Sequence, residues 1–199
     1  MQDFFIVNFL SIAKLMLYFI PFYLIGSIPF GFILTKLAGY EDIRKYGSGN
    51  IGATNVFRKS KICGFLTLVC DTGKGALAVL LCSIMFDDYL LEILSGVAAV
   101  IGHTFPAWLK FKGGRGVASA IGVFLATHWL VGIFVVITWI VIFIVNRISA
   151  IAALAAFTVA PIFTYLFTHD LRLIIANSFI CMLVTVRHKQ NIKSIIKDR

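Results

Sequence analysis

Acidic residues are scarce in this chain, with nine Asp and Glu against eighteen Lys and Arg in 199 residues. Charge of either sign is thin at 14% of residues, while 60% are hydrophobic. A soluble domain averages about 25% charged and about 45–50% apolar residues, so this composition excludes one and leaves no room for one beside a membrane domain. The four cysteines, Cys63, Cys70, Cys82 and Cys181, form no C-x-x-C pair and have no histidine nearby. That excludes zinc spacing and reads them as small apolar fillers. No basic segment with a small-residue cleavage site opens the chain, so the N-terminus is expected to be retained. No G-x-S-x-G elbow, H-E-x-x-H, H-x-x-x-x-D or carboxylate cluster occurs either. An enzyme built this way would rely on positioning and electrostatics rather than on a covalent nucleophile.

Long apolar runs are what the chain has instead. The expected fold is all-α: one polytopic membrane domain over residues 1–199, with a lead-in at 1–13 and a basic tail at 187–199. Seven spans are expected, at Lys14 to Thr35, Ile62 to Phe86, Leu90 to Trp108, Val117 to Thr127, Leu130 to Val145, Ala150 to Phe167 and Leu171 to Val186. Pro21, Gly26, Pro29 and Gly31 interrupt the first, as bundles tolerate when neighbours satisfy the freed backbone groups. The fourth is short against the about 17–25 residues that cross a bilayer, and its helix is expected to begin inside the preceding glycine loop. Ile192, Ile195 and Ile196 stand at helical spacing in the tail, which suits a surface-lying amphipathic segment.

Charge chooses the count. Seven spans put Lys36, Arg44, Lys45, Arg58, Lys59 and Lys61 on one side with Lys110, Lys112, Arg115, Arg147 and the tail. Asp3, Asp87, Asp88, Glu92 and Asp170 fall on the other, with Lys14 and Arg172. Positive loops stay inside, so the N-terminus is expected outside and the C-terminus in the cytoplasm. The basic excess is then mostly a topology signal, with no nucleic-acid partner.

The polar, glycine-rich stretch Gly47 to Arg58 stands out against this apolar background. Gly47, Gly49 and Gly52 permit tight turns and close approach to the main chain. Ser48, Asn50, Thr54 and Asn55 add short donors, and Arg58 a planar fork suited to phosphate. Backbone amides beside a cation make an anion site. Two other readings compete. The glycines also spell G-x-G-x-x-G with Asp71 near the acidic partner's place, but no strand precedes them, as a dinucleotide fold requires. The stretch also suits a merely flexible loop, though that needs neither four short polar side chains nor an arginine.

Lys110 to Gly116 repeats the pattern, with Lys112 and Arg115 around Gly113 and Gly114, and lacks Walker A spacing. His103 precedes it at the end of the third span, as a structural cap or a site residue. Asp71 and Lys74 share a face of the second span near its cytoplasmic end, where a costly ionisable pair serves either loop positioning or substrate contact. The run Arg187 to Asn191, taken alone, reads as an ordinary positive flank, and His188 within it is suited to act as a base or a phosphate donor. The topology brings both loops, the Arg147 to Ser149 break and the tail to one face.

Gly47-Ser-Gly-Asn-x-Gly-Ala-Thr-Asn-x-x-Arg58 and Gly102-His-x-x-Pro-x-x-x-x-Phe-Lys-Gly-Gly-x-Gly-Val117 resemble the PlsY-type acyl-phosphate:glycerol-3-phosphate acyltransferases of bacteria. Asp71-x-x-Lys-Gly75, Arg147-x-Ser149 and Arg187-His-x-x-Asn191 follow in that family's order. Arg115 stands where the family usually has lysine, and Ser149 is followed by Ala150 and Ile151 rather than the usual leucine and serine. The resemblance implies transfer of a fatty acyl group from acyl phosphate to the 1-hydroxyl of glycerol 3-phosphate in the inner membrane. Lysophosphatidic acid and phosphate would be the products, with no cofactor, no metal and no acyl-CoA donor. It also implies that Ser48, Asn50, Thr54 and Ser149 cradle the acyl phosphate while Arg58 and Lys112 neutralise phosphate and carbonyl oxygens. His188 and Asn191 would position glycerol 3-phosphate. Membrane lipids, and a soluble acyl-phosphate synthase docking on the basic face, are the partners to expect. A small transporter of an anionic phosphorylated metabolite is the competing class, although no internal repeat or mid-membrane polar break marks one.

Overall fold

The computed structural model describes Met16 and residues 18–197. The lead-in at 1–13, the expected span start at Lys14 and the end of the basic tail lie outside them. The regular structure of the described residues is helical: α1 (18–27), α2 (Phe30–Leu37), α3 (Ala53–Lys59), α4 (Lys61–Phe86), α5 (Tyr89–Thr104), α6 (Val117–Thr127), α7 (Trp129–Asn146), α8 (Ser149–Thr168), α9 (Leu171–Arg187) and α10 (Lys189–Lys197). Single 3₁₀ turns lie at Ile43–Lys45 and Ala107–Leu109.

Helix starts follow local chemistry. Ser60 caps α4 by accepting from the Cys63 amide, Asp88 caps α5 through Leu90 and Leu91, and Asp170 caps α9 through Arg172 and Leu173. Each oxygen satisfies donors that a helix N-terminus leaves orphaned. The first apolar run breaks at Ile28 and Pro29, because proline carries no amide to continue the ladder. Three long helices end on residues other than glycine in the left-handed region: α4 at Asp87 (φ 35°), α7 at Arg147 (φ 54°) and α8 at His169 (φ 51°).

Helices stand at all seven places expected for spans. Five stretches are long and apolar enough to cross a membrane: Tyr18–Leu37, Lys61–Phe86, Tyr89–Leu109, Trp129–Asn146 and Ser149–Thr168. α6, with 11 residues, and α9, with 17, are shorter. At a rise of 1.5 Å per residue α6 is about 16 Å long, roughly half a hydrocarbon core. It begins directly after Gly116 rather than inside the loop.

α6 is the centre of the bundle. Phe124 packs on Phe157 of α8 at 5.6 Å between ring centroids, both fully buried, with Val100, Val131, Ile180 and Val184 around them. α4 and α6 approach backbone to backbone: a methyl at Gly75 would run into the Ser119 carbonyl, and one at Gly122 into that of Thr72. Small residues permit such contact where lipid supplies no hydrophobic drive between helices. α7 turns Ile137, Ile140, Ile144 and Val145 outward, as a lipid-facing helix would.

The antiparallel helices give the bundle two unlike ends. At one, Arg172 lies over the Tyr89 ring at 5.1 Å and pairs with Asp170 at 2.8 Å, beside Asp88. At the other gather the two glycine-rich loops, the α7–α8 turn and the α9–α10 junction.

Candidate active site

The first loop is organised by one side chain. Asn55, on the first turn of α3 and 2% exposed, donates through Nδ2 to the carbonyls of Asn50 (2.9 Å), Tyr46 (3.0 Å) and Ile43 (3.3 Å). Its Oδ1 accepts from the Ser48 amide at 3.0 Å. Asn50 Oδ1 accepts from the Gly52 amide at 2.7 Å, and the Gly49 amide donates to the Tyr46 carbonyl at 3.0 Å. Gly47 and Gly49 adopt positive φ, 55° and 69°, and a methyl on Gly47 would strike Asn55 Oδ1. Gly52 is extended at φ −75° and caps α3.

Part of the expected anion nest is taken up within the loop. The amides of Ser48, Gly49 and Gly52 are bonded within the loop, and Asn55 and the Asn50 oxygen are spent there too. The side chains of Ser48, Thr54 and Arg58 are exposed, and the first amides of α3 have no side-chain cap. Asn50 and Asn55 hold the loop's shape.

Two long-range contacts close the site. Thr54 Oγ1 and Ser149 Oγ share a hydrogen bond of 3.2 Å across 95 residues of sequence, joining the first loop to the start of α8. Arg187 donates from Nε to the Gly114 carbonyl (3.4 Å) and from Nη2 to that of Gly113 (3.3 Å), joining α9 to the second loop. Its guanidinium also lies over the Phe105 ring at 5.3 Å, and the Phe105 carbonyl accepts from Tyr23 Oη at 2.7 Å. Arg187, in a run that taken alone reads as a plain flank, is therefore a brace.

The second loop turns tightly on Pro106, whose carbonyl accepts from Leu109 (3.2 Å) and Phe111 (3.0 Å). Lys110 and Phe111 both take positive φ, 52° and 60°, a strained pair for side-chain-bearing residues. Gly113 and Gly114 donate to the carbonyls of Thr104 (3.2 Å) and His103 (3.0 Å). Lys112, between them and the turn, is exposed.

His103 is 4% exposed, under Gly114, with Nδ1 3.5 Å from Asp71 Oδ1. Asp71 and Lys74 are buried too, 2.7 Å apart. They sit ten residues and more into α4, about 15 Å from its start, deeper than their expected place near its end.

Cations crowd the opening. Burial, and then repulsion from Arg58 and Arg187, holds the Arg115 guanidinium below its ordinary value. His188 caps α9 and is 2% exposed. Burial, and the nearby charges of Arg115 and Arg187, hold its imidazole below the usual histidine range. Nδ1 lies 2.8 Å from the Val184 carbonyl, so the neutral ring donates there and keeps its lone pair on Nε2. Asn191 follows on the first turn of α10, partly buried.

A family model described as glycerol-3-phosphate acyltransferase matches residues 16–198. The glycerol-3-phosphate acyltransferase of Bartonella henselae is 45% identical over 185 residues, covering 88% of this chain and 85% of the relative. Among solved structures, the glycerol 3-phosphate form of PlsY, an integral membrane glycerol 3-phosphate acyltransferase, superimposes with TM-score 0.86 at 35% identity and 92% coverage of both chains. Its lysophosphatidic acid form gives 0.84 at 34% identity, again covering 92% of both.

Proposed function

This chain belongs to the glycerol-3-phosphate acyltransferase family, an acyltransferase of the membrane, and on that premise we propose that it acylates the 1-hydroxyl of glycerol 3-phosphate with acyl phosphate as donor. The hydroxyl oxygen attacks the acyl carbonyl, the carbon–oxygen bond to phosphate breaks, and lysophosphatidic acid and inorganic phosphate leave. The observation that carries this reading is the meeting of four distant polar segments at one cationic end, through the Thr54–Ser149 and Arg187–loop contacts. Both substrates are phosphate anions, and one carries a tail that lies among apolar helices.

Ser48, Thr54 and Ser149 cradle the acyl phosphate, with Asn50 shaping the turn beneath it. Arg58 and Lys112 neutralise phosphate oxygens and the charge developing on the carbonyl oxygen. His188 and Asn191 position glycerol 3-phosphate. The seven-span topology with the C-terminus and site in the cytoplasm completes the proposal. That basic face would also receive a soluble acyl-phosphate synthase.

The test uses purified protein in detergent, labelled glycerol 3-phosphate, and palmitoyl phosphate or palmitoyl-CoA. Labelled lysophosphatidic acid from the phosphate donor alone, abolished by Lys112→Ala, is expected. Product from the CoA donor would keep the acyltransferase and overturn the donor. With no product from either, the reading falls, and uptake into sealed vesicles tests transport instead.

Neutral His188 is the form a proton acceptor needs. Because its folded value is lowered, an acid limb due to this residue lies below pH 6.5, the ordinary histidine value, and the rate is flat above it. If His188→Ala only raises KM and leaves kcat and that limb in place, the proton goes to the substrate's phosphate.

A further inference from the structure

Three ionisable side chains lie buried in the bundle, away from the groups proposed to touch substrate. Lys74 Nζ is 2.7 Å from Asp71 Oδ1 and donates to the Ile28 carbonyl, also at 2.7 Å. That carbonyl stands at the break between α1 and α2, where Pro29 supplies no amide. His103 Nδ1 is 3.5 Å from the same Asp71 oxygen. Charges inside a span are costly to keep, so these three need an account beyond packing.

Both ends of the chain of contacts lead to a glycine-rich loop. At the Lys74 end, α2 follows the break, and Gly31 packs so closely on the Ile51 carbonyl of the first loop that a methyl there would overlap it. At the His103 end, Gly114 of the second loop rests on the imidazole ring with no room for a side chain. The contacts thus run from Ile51 and Gly31 through the α1–α2 break, Lys74, Asp71 and His103 to Gly114. We propose that Asp71, Lys74 and His103 form a positioning network that sets the spacing of the two glycine-rich loops across the site. None of the three touches substrate in this account, which rests on the acyltransferase reading.

The test separates positioning from mere support of the fold. Removing one member of a buried ion pair strands the other and destabilises, whereas replacing both relieves that penalty. The full-length double variant Asp71→Asn/Lys74→Met is therefore expected to melt within about 5 °C of the parent. It nevertheless loses the tie to Ile28 and the charge facing His103, so kcat with palmitoyl phosphate should fall at least about tenfold, as displaced reacting groups do. Tryptic cleavage after Lys112 or Arg115 in the folded protein, which needs no substrate, should rise by a similar factor. His103→Phe, which keeps a ring under Gly114 but loses the nitrogen, should show both effects if the double variant does not fold. Parental kcat or parental cleavage in a folded variant overturns the proposal. A parent that makes no product from either donor overturns the acyltransferase reading, while the cleavage rates still decide the network.

Discussion

The two glycine-rich loops face one site but are built in opposite ways. The first is braced from within: Asn55 ties the backbone of Ile43, Tyr46, Ser48 and Asn50 together over thirteen residues. The second is braced from outside, by the carbonyls of His103 and Thr104 on α5 and by Arg187 on α9. A loop of the first kind carries its shape in its own sequence. One of the second kind has its shape only when the helices beneath it are assembled.

Asn55→Ala puts most strain on this contrast. It removes four hydrogen bonds, and each buried partner left unmet costs about 1–3 kcal/mol, so the first loop should lose its shape and turnover fall about a hundredfold. Tryptic cleavage after Arg44 and Lys45 should rise while cleavage after Lys112 stays at the parental rate. If both loops loosen together, the first is not self-braced. Gly114→Ala is the mirror case, because the added methyl meets the His103 ring. A tenfold or somewhat larger loss of kcat/KM is expected, roughly 1.4–2 kcal/mol of transition-state stabilisation, with cleavage changed only in the second loop.

Arg187→Met keeps the apolar stem and removes the guanidinium, with its donors to Gly113 and Gly114 and its place over Phe105. A loss of about 1 kcal/mol, or roughly fivefold in kcat/KM, is expected, since both bonds are long and part-exposed. Thr54→Val should do least, about twofold, because its bond to Ser149 is an exposed hydroxyl pair at 3.2 Å and Ser48 and Ser149 still cradle the acyl phosphate without it. An effect of Thr54→Val as large as that of Asn55→Ala would mean that α8, rather than Asn55, holds the first loop.

Much of this was legible beforehand. Helices stand where the apolar runs lie, the interruptions read in the first run include Pro29, and glycines among short polar or basic residues marked both loops. What stayed hidden is where a polar side chain points. Asn55 was expected to face a ligand, and an asparagine that bonds backbone within its own loop has the same composition signal. Arg187 sits where any span gains a basic flank, and its acceptors are 73 and 74 residues away. Lys74 and Ile28 are 46 apart, one on α4 and the other at the α1–α2 break, so no local spacing connects them. Long-range partners are a property of packing, and packing has no short-range signature.

The left-handed ends of α4 and α8 leave the protein a reserve for engineering. Asp87 and His169 lie at the end of the bundle opposite the loops, in a backbone region that disfavours side-chain-bearing residues by about 1–2 kcal/mol. Glycine would relieve that, less the roughly 0.4–1 kcal/mol by which it loosens the unfolded chain. Asp87→Gly and His169→Gly should thus raise the melting temperature a little while leaving kcat alone. Helix ends distant from the chemistry are where a hardier version of this enzyme for detergent work would begin.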